Sequence, residues 1–424
     1  MRIRPFWTQA LLDAAALVVA VAAASMVSFG TPFPWQFEAR IWPLLLIMLG
    51  GLIAAEGMGA WLLIGGPQRP SYGRALAVAF MILATTSLML IATRVYFSRS
   101  FISWAMVFFV IGAFAHRAWL RRHPWTEAMI LITGEKALVE DLRATSSAQI
   151  LDVVDPSSEV GLDPPGRRVV LGVDFRSALS DRMAQYVSSC TLAGLDVRPL
   201  SGIYELHTGR IPVLAPAEGW EMSMPMLRTV PYLAGKRVFD VLAVLVTAPI
   251  TLVLAAVTAI VIRFGSSGPV VFRQARVGKG GKPFIQYKFR SMWHDPGRNG
   301  ASFTSRDDER VVPVARILRR FRLDELPQLW NVIKGDLSLV GPRPEQVEFV
   351  DRFNRTIPFY SQRHLIRPGI TGWAQVNYGY ADGEEDTIQK LAYDLFYVKH
   401  MSPWLDLEIL GRSCWTVLSG FGAR

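Results

Sequence analysis

Cysteine is nearly absent: Cys190 and Cys414 are the 2 in 424 residues, so neither a disulfide framework nor a cysteine-built zinc site can form, and a reducing compartment fits. Charge is scarce as well. Asp, Glu, Lys and Arg make up 19% of the chain, below the quarter usual in soluble domains, and 51% of it is hydrophobic. The scattered His294, His364 and His400 lack metal-ligand spacing and read as structural. There is no G-x-x-x-x-G-K-[ST] and no G-x-S-x-G, which leaves P-loop and nucleophile-elbow chemistry without support. Together these gaps argue against an ordinary soluble globule and exclude disordered, collagenous and disulfide-stapled classes.

Long apolar runs are present instead. Four fill the first block, at about 11 to 29, 43 to 65, 75 to 97 and 101 to 118, each near the length that crosses a bilayer. The first is expected to stay attached, because Phe29-Gly30-Thr31-Pro32-Phe33 offers no small-x-small cleavage site. Arg2, Arg4, Arg69, Arg74, Arg117, Arg121 and Arg122 place both ends of a four-helix bundle, residues 1–122, in the cytoplasm, although Arg94 and Arg99 oppose that count. Glu56 is the acid near the middle of a span. With no evident partner in another span, it reads as a helix-to-helix hydrogen bond beside Gly57 and Gly59 rather than a transport path.

The formal net charge of +10 is regional, with basic blocks flanking an acidic middle. In residues 123–211 short apolar strands alternate with amphipathic segments, predicting a Rossmann-like α/β domain. It is degenerate: Thr133-Gly134-Glu135-Lys136 stands where a dinucleotide fold carries its glycine fingerprint, so a structural or oligomer-forming role is favoured over nucleotide binding. Residues 212–235, rich in Pro and Met, read as a linker. Val241 to Ile262 is uncharged and long enough to span, yet Lys236 and Arg237 precede it and Arg263 follows. Pro249 sits inside it, so a re-entrant, broken helix returning to its own side is expected.

Chemistry concentrates in the last block, residues 236–424. Phe272 to Gly278 and Lys288-Phe289-Arg290-Ser291-Met292 are cationic stretches on apolar ground. A helix from about Val312 interleaves Val314, Ile317, Leu318 and Phe321 with Arg316, Arg319, Arg320 and Arg322, a pattern suited to an anionic membrane face. The attached apolar runs weigh against nucleic acid as its partner. Next come the adjacent carboxylates Asp324 and Glu325, then a helix started by Pro327, predicted to bury Leu329, Trp330 and Ile333 and to stop at Gly335. Such a pair either complements a helix dipole or attacks phosphorus with one carboxylate while the other holds a divalent cation. The rigid Pro342-Arg343-Pro344 turn and Arg367-Pro368-Gly369-Ile370-Thr371-Gly372-Trp373 follow, and favour the second use.

These motifs together resemble the bacterial sugar transferases, the monotopic phosphoglycosyl transferases. The order of four spans, degenerate α/β domain and α-rich catalytic domain looks like the large members of that family. What the resemblance implies is transfer of hexose-1-phosphate from a UDP-sugar to undecaprenyl (polyprenyl) phosphate with release of UMP, the first membrane step of exopolysaccharide, capsule or O-antigen synthesis. It implies Asp324 as nucleophile, forming a phosphosugar-aspartyl intermediate, Glu325 as ligand of Mg²⁺, and Lys288, Arg319, Pro342, Arg343, Pro344 and Arg367 around phosphates or nucleotide. Pro249 matches the proline that kinks the re-entrant helix, although Ala248 replaces a frequent serine. Val376-Asn377-Tyr378-Gly379 departs from the family pattern in a region implied to touch sugar or nucleotide, so it leaves the hexose open, with glucose or galactose the family's usual donors. Localisation follows as the bacterial inner membrane with catalysis on the cytoplasmic face, inner-membrane lipid as a partner and a homodimer through the middle block as a candidate. The alternative is a non-catalytic membrane scaffold or regulator of polysaccharide export, against which the intact Asp324, Glu325 and Pro-Arg-Pro set stands.

Overall fold

The computed structural model describes residues 5–32, 41–62, 72–94, 97–123, 126–158, 169–213, 230–265, 268–292, 313–378 and 384–419. It forms two compact units, Met1–Gly209 and Arg210–Arg424.

In the first unit, α1 (Pro5–Phe29) packs along α4 (Arg99–Arg122), and α2 (Ile41–Leu62) along α3 (Tyr72–Thr93). Among the described residues α1, α3 and α4 are long and apolar enough to cross a membrane, while the described apolar part of α2, Trp42–Glu56, is shorter. Small residues let the backbones approach. A Cβ on Gly112 would sit 3.3 Å from Ala16 Cβ, and one on Gly51 would collide with Thr85 Oγ1. Gly51 is thus the close-packing glycine among the described positions of α2; the surroundings of the expected Gly57 and Gly59 lie outside the described residues.

Glu56 does have a partner in another span, contrary to expectation: Arg74 at the start of α3 donates to its carboxylate. A second acid, Asp13 of α1, accepts from Arg117 Nη1 and Nη2 at 2.7 Å and lies 2.9 Å from His116 Nε2, both residues on α4. The sequence hid these pairs because each forms only when two particular helix faces meet. Buried and reciprocal, they act as clasps between helices and lend no support to a transport path.

The α/β domain comprises β1 (Glu127–Ile132), α5 (Lys136–Arg143), β2 (Ala148–Val154), β3 (Val170–Val173), α6 (Asp181–Leu192), β4 (Asp196–Pro199) and α7 (Leu200–Thr208). The sheet is parallel, in the order β2-β1-β3-β4. Alternation sends Met129 and Leu131 to the face covered by α5 and α7, and Ile132, Leu171 and Val173 to the face covered by α6. At the carboxyl ends of β1 and β3, where such sheets bind nucleotides, Thr133 Oγ1 donates to Asp174 Oδ2 at 3.2 Å and Arg176 grips Asp174 at 2.7 and 2.8 Å. The helix that would cradle pyrophosphate opens on the acid Glu135. The crevice thus holds the chain's own Asp174–Arg176 ion pair, and its helix opens on an acid where a pyrophosphate would sit.

The second unit contains α8 (Val230–Gly265), a hairpin of β5 (Val271–Val277) and β6 (Pro283–Phe289), α9 (Pro313–Arg320), α10 (Gln328–Lys334), β7 (Ser338–Val340), α11 (Val347–Thr356), β8 (Gly369–Thr371) parallel to β7, α12 (Trp373–Asn377), α13 (Glu384–His400) and α14 (Pro403–Ser419). The stretch 212–235 is not all connecting chain. Ile211 and Val213 are buried in this unit's core, and α8 has begun by Val230. Nor is α8 broken: it runs 36 residues with Pro249 inside, where the missing N–H cannot serve Leu245 O. Around that point Thr247 Oγ1 donates to Ala243 O and Thr251 Oγ1 to Thr247 O. By length and composition α8 could also cross a membrane.

Both ends of α8 nonetheless rest on the same unit. Near its start Lys236 pairs with Asp406, which also accepts from Tyr232 OH at 2.5 Å and Tyr397 OH at 2.6 Å; one turn on, Asp240 accepts from Ser338 Oγ at 2.7 Å. Val244 packs with Val332 and Leu337, and Ile262 with Phe289 and Leu318. Between them the helix shows solvent an apolar surface, Val246 being 77% exposed.

Breaking one clasp should be worse than removing it. Asp13→Ala leaves Arg117 buried and unpaired and is expected to destabilise the bundle by roughly 3–5 kcal/mol, with Asp13→Leu/Arg117→Met recovering most of that loss. Thermal unfolding in detergent checks this; equal midpoints for the single and double variants would contradict the clasp.

Candidate active site

Arg322 lies in the left-handed region at φ +54°, a conformation that disfavours side chains by roughly 1–2 kcal/mol. It reverses the chain between α9 and a single 3-10 turn, Leu323–Glu325. Leu323 and Leu326 pack into the cluster around Ile262, Phe289 and Leu318 and so fix the turn that carries Asp324 and Glu325.

Glu325 is buried among three cations. Arg343 Nη2 donates to Oε1 at 3.0 Å, Lys288 Nζ lies 3.8 Å from Oε1, and Arg322 Nη1 lies 3.6 Å from Oε2. Burial alone would raise its carboxyl, but Arg343, Lys288 and Arg322 hold it down to about 2. Half-buried Asp324 goes the other way: desolvation, then the charge of Glu325, push it up to about 6 against the pull of Lys288, Arg319 and Arg343. Burial and the nearby Arg343 lower the Lys288 ammonium to about 8. Neighbouring carboxyls driven apart in this way take different roles, one a fixed charge and the other a group that can change state.

The Pro-Arg-Pro turn is fastened at four successive carbonyls. Pro342 O accepts from Gly369 N, Arg343 O from Arg363 Nη2, Pro344 O from Arg276 Nη1 and Glu345 O from Val277 N, all at 2.8 to 3.0 Å. Arg363 is itself held by Asp394 at 2.8 Å. Glycines permit this packing: a Cβ on Gly341 would lie 2.5 Å from Arg367 O, and Cβ atoms on Gly369 or Gly372 would strike the Gly341 backbone. The Arg343 guanidinium is thereby presented to Glu325 from a pre-set loop.

Of the predicted residues, the structure brings Asp324, Glu325, Lys288, Arg319 and Arg343 within electrostatic reach of one another, with Pro342 and Pro344 framing the last. Arg367 is not in that group; its Nε donates to Gly335 O at 2.9 Å and closes the end of α10. Pro249 lies in the exposed apolar part of α8. Asn377 accepts from Arg412 at 2.8 Å and Tyr378 donates to Asp386 at 2.7 Å, while Gly379 falls outside the described residues. Of the burial expected of α10, Leu329 packs beside Val244 and Leu337 as predicted, but Trp330 and Ile333 do not. Gln328, Asn331 and Val332 face inward because Asn331 bonds Ile285 O, Tyr287 N and Asp336, so Trp330 and Ile333 turn outward. Arg276, Arg363 and Asp394 carry the turn that holds Arg343 without being singled out by any motif. Arg276 stood in a cationic stretch, and strand alternation could have turned it inward with Gln274, whose side chain it bonds.

A fixed anion, a second carboxylate poised near neutrality and a cage of cations lie together in a unit that carries a long exposed apolar helix. The family description "Bacterial sugar transferase" matches residues 231–420. The chain is 45% identical over 246 residues to a UDP-N-acetylgalactosamine-undecaprenyl-phosphate N-acetylgalactosaminephosphotransferase of Aeromonas hydrophila, covering 58% of each. It is 42% identical over 191 residues to a UDP-glucose:undecaprenyl-phosphate glucose-1-phosphate transferase of Escherichia coli strain K12, covering 44% of this chain and 40% of that one. It is 41% identical over 187 residues to a protein of the same name from Caulobacter vibrioides, covering 43% and 70%. This chain belongs to the bacterial sugar transferase family. It spans 58% and 40% of the length of the first two relatives.

The glycine seat under the Pro-Arg-Pro turn gives a test. Gly341→Ala is expected to lower the thermal midpoint by roughly 3–10 °C, since overpacking costs about 1–3 kcal/mol. Gly235→Ala, whose Cβ would meet nothing within 4 Å, serves as the control and leaves the midpoint unchanged or higher. Equal tolerance of both substitutions in a melting experiment would contradict the packing argument.

Proposed function

We propose that this protein transfers hexose-1-phosphate from a UDP-sugar to undecaprenyl phosphate on the cytoplasmic face of the bacterial inner membrane, releasing UMP. The observation that carries the reading is the placement of Asp324 beside a Glu325 ringed by Arg343, Lys288 and Arg322. The names of the relatives support the substrate classes and point to glucose or N-acetylgalactosamine as the hexose unit.

The reaction is a double displacement at phosphorus. A carboxylate oxygen of Asp324 attacks the β-phosphorus of the donor, the bond from that phosphorus to the bridging oxygen breaks, and UMP departs with the electron pair. The sugar carbon keeps its configuration because its bond to oxygen is untouched. An oxygen of the lipid phosphate then attacks the same phosphorus and the carboxylate leaves. Lys288 and Arg343 are positioned to neutralise charge gathering on the phosphoryl oxygens, and the pre-fastened turn spares Arg343 reorganisation as that charge develops. Desolvation that favours neutral Asp324 also strips the carboxylate of water that would blunt its attack.

Mg²⁺ fits at Glu325. Among the described residues no cluster of three or more His, Cys, Asp or Glu exists to cage a metal, but Glu325 Oε2 is a buried acceptor with no hydrogen bond. One carboxylate, completed by phosphate oxygens and water, is the usual protein share of such a site. When bound, Mg²⁺ would supply charge neutralisation at the phosphates.

Support for a segment that stays on its own side comes from α8, whose two ends pack on one unit through Val244 and Ile262. A helix pinned in that way beds its apolar face in the inner leaflet and brings a water-soluble donor and a lipid acceptor to one surface. The exposed Ile317 and Phe321, next to Arg316 and Arg320, suit an anionic interface.

Asp324→Asn should reduce UMP release in the presence of acceptor by at least about a thousandfold while the melting midpoint holds. Activity within an order of magnitude of wild type would reject Asp324 as nucleophile. Chelation with EDTA should stop turnover and added Mg²⁺ restore it; full turnover in EDTA would remove the metal from the account.

A further inference from the structure

The two ends of α8 reach the two halves of the site. Near its close, Ile262 shares a cluster with Leu323 and Leu326, which flank Asp324 and Glu325. Near its start the contacts run to β7 instead. Asp240, the one acid in the helix, is buried; its Oδ2 accepts from Ser338 Oγ at 2.7 Å and its Oδ1 from Leu339 N at 3.3 Å. One turn earlier Lys236 pairs with Asp406, and Tyr397 OH is shared between Asp406 Oδ1 at 2.6 Å and Val340 O at 3.3 Å. Ser338, Leu339 and Val340 are the whole of β7.

That strand leads through Gly341 and Pro342 into Arg343. Its other edge lies on β8, where Ser338 N donates to Pro368 O and Gly341 N to Thr371 O, both at 2.9 Å. β7 is therefore held from two sides, and one of them is α8. Pro342 and Pro344 fix φ on either side of Arg343, so a displacement of β7 reaches the guanidinium instead of being absorbed by the turn. A buried carboxylate is costly unless it is hydrogen-bonded, and an apolar helix would bed in lipid without one. Among the described residues, both hydrogen-bond donors to Asp240 belong to the strand that presents Arg343.

We propose that Asp240 is a positioning residue for the reaction: through Ser338 and Leu339 it sets β7, and through β7 the Arg343 guanidinium, against the turn that the far end of α8 holds. The inference rests on the role given to Arg343 above. The helix bedded in lipid is thereby also the spacer between the two halves of the site.

A double-mutant cycle tests this in the full-length protein in nanodiscs, supplied with UDP-sugar, undecaprenyl phosphate and Mg²⁺. Asp240→Asn should lower kcat roughly tenfold with both KM values within about threefold of wild type, and Ser338→Ala, which removes only the hydroxyl, should lower kcat roughly threefold. Arg343→Gln is expected to cost about 100- to 1000-fold, a rate still readable as UMP release in single turnover. In that background each of the two changes should cost less than about twofold more, because no guanidinium remains to be placed; a merely structural loss would carry over in full. Additive losses, or single variants both within about twofold of wild type, would overturn the assignment, and Ser338→Ala decides by the same readings if Asp240→Asn does not fold. Equal turnover of Arg343→Gln and wild type would overturn the role of Arg343 and this proposal with it, a failure told apart because neither Asp240 nor Ser338 is changed.

Discussion

Everything in the second unit depends on two adjacent carboxyls being forced into different states. Placed side by side in a desolvated pocket, both cannot carry a full charge without compensation, and Glu325 receives the larger share of it. Arg343, Lys288 and Arg322 converge on Glu325, while at Asp324 desolvation and its neighbour's field outweigh the pull of Lys288, Arg319 and Arg343. The left-handed Arg322, the four fastened carbonyls of the Pro-Arg-Pro turn and the close approach of Gly369 and Gly372 to Gly341 all keep that asymmetry in register. Their combined effect is positional, which suits phosphoryl transfer, where charge and alignment do most of the work.

The second constraint is the anchoring of α8. A helix apolar on nearly every face has no reason to stay at a protein surface unless lipid covers it. Here its start is locked by Lys236, Tyr232, Tyr397 and Asp406, and its end by Ile262 against Leu318. The apolar helix and the turn that carries the carboxylates are therefore packed together: Leu323 and Leu326, which flank the carboxylates, sit in the same cluster as Ile262. Moving the helix would move the turn.

Much of this was legible in the sequence, and the part that was not has a common cause. Uninterrupted apolar length is a local property, so the helices of the bundle and α8 could be read directly, as could the alternating strands of the α/β domain. The Asp324-Glu325 pair and the Pro-Arg-Pro turn also lie within one short stretch. What escaped were pairings over long separations: Glu56 with Arg74, Asp13 with Arg117, and Arg276 and Arg363 with the carbonyls of the turn. Trp330 and Ile333 misled for a related reason. Periodicity assigns a core face by hydrophobicity, but here the amide of Asn331 outbid them by satisfying the backbone of β6, and the displaced apolar groups were left at the surface. The unbroken course of α8 through Pro249 shows a limit of reading proline as a stop: with no core on either side to bend around, one missing hydrogen bond does not end the helix.

The most direct measurement is mass spectrometry of the intact protein and its peptides after brief mixing with UDP-sugar and Mg²⁺, acid-quenched and without lipid acceptor. The account predicts a mass increase of one hexose phosphate, localised to the peptide containing Asp324, that vanishes on addition of undecaprenyl phosphate. An unmodified protein under conditions where turnover is brisk, or an adduct on another residue, would contradict it.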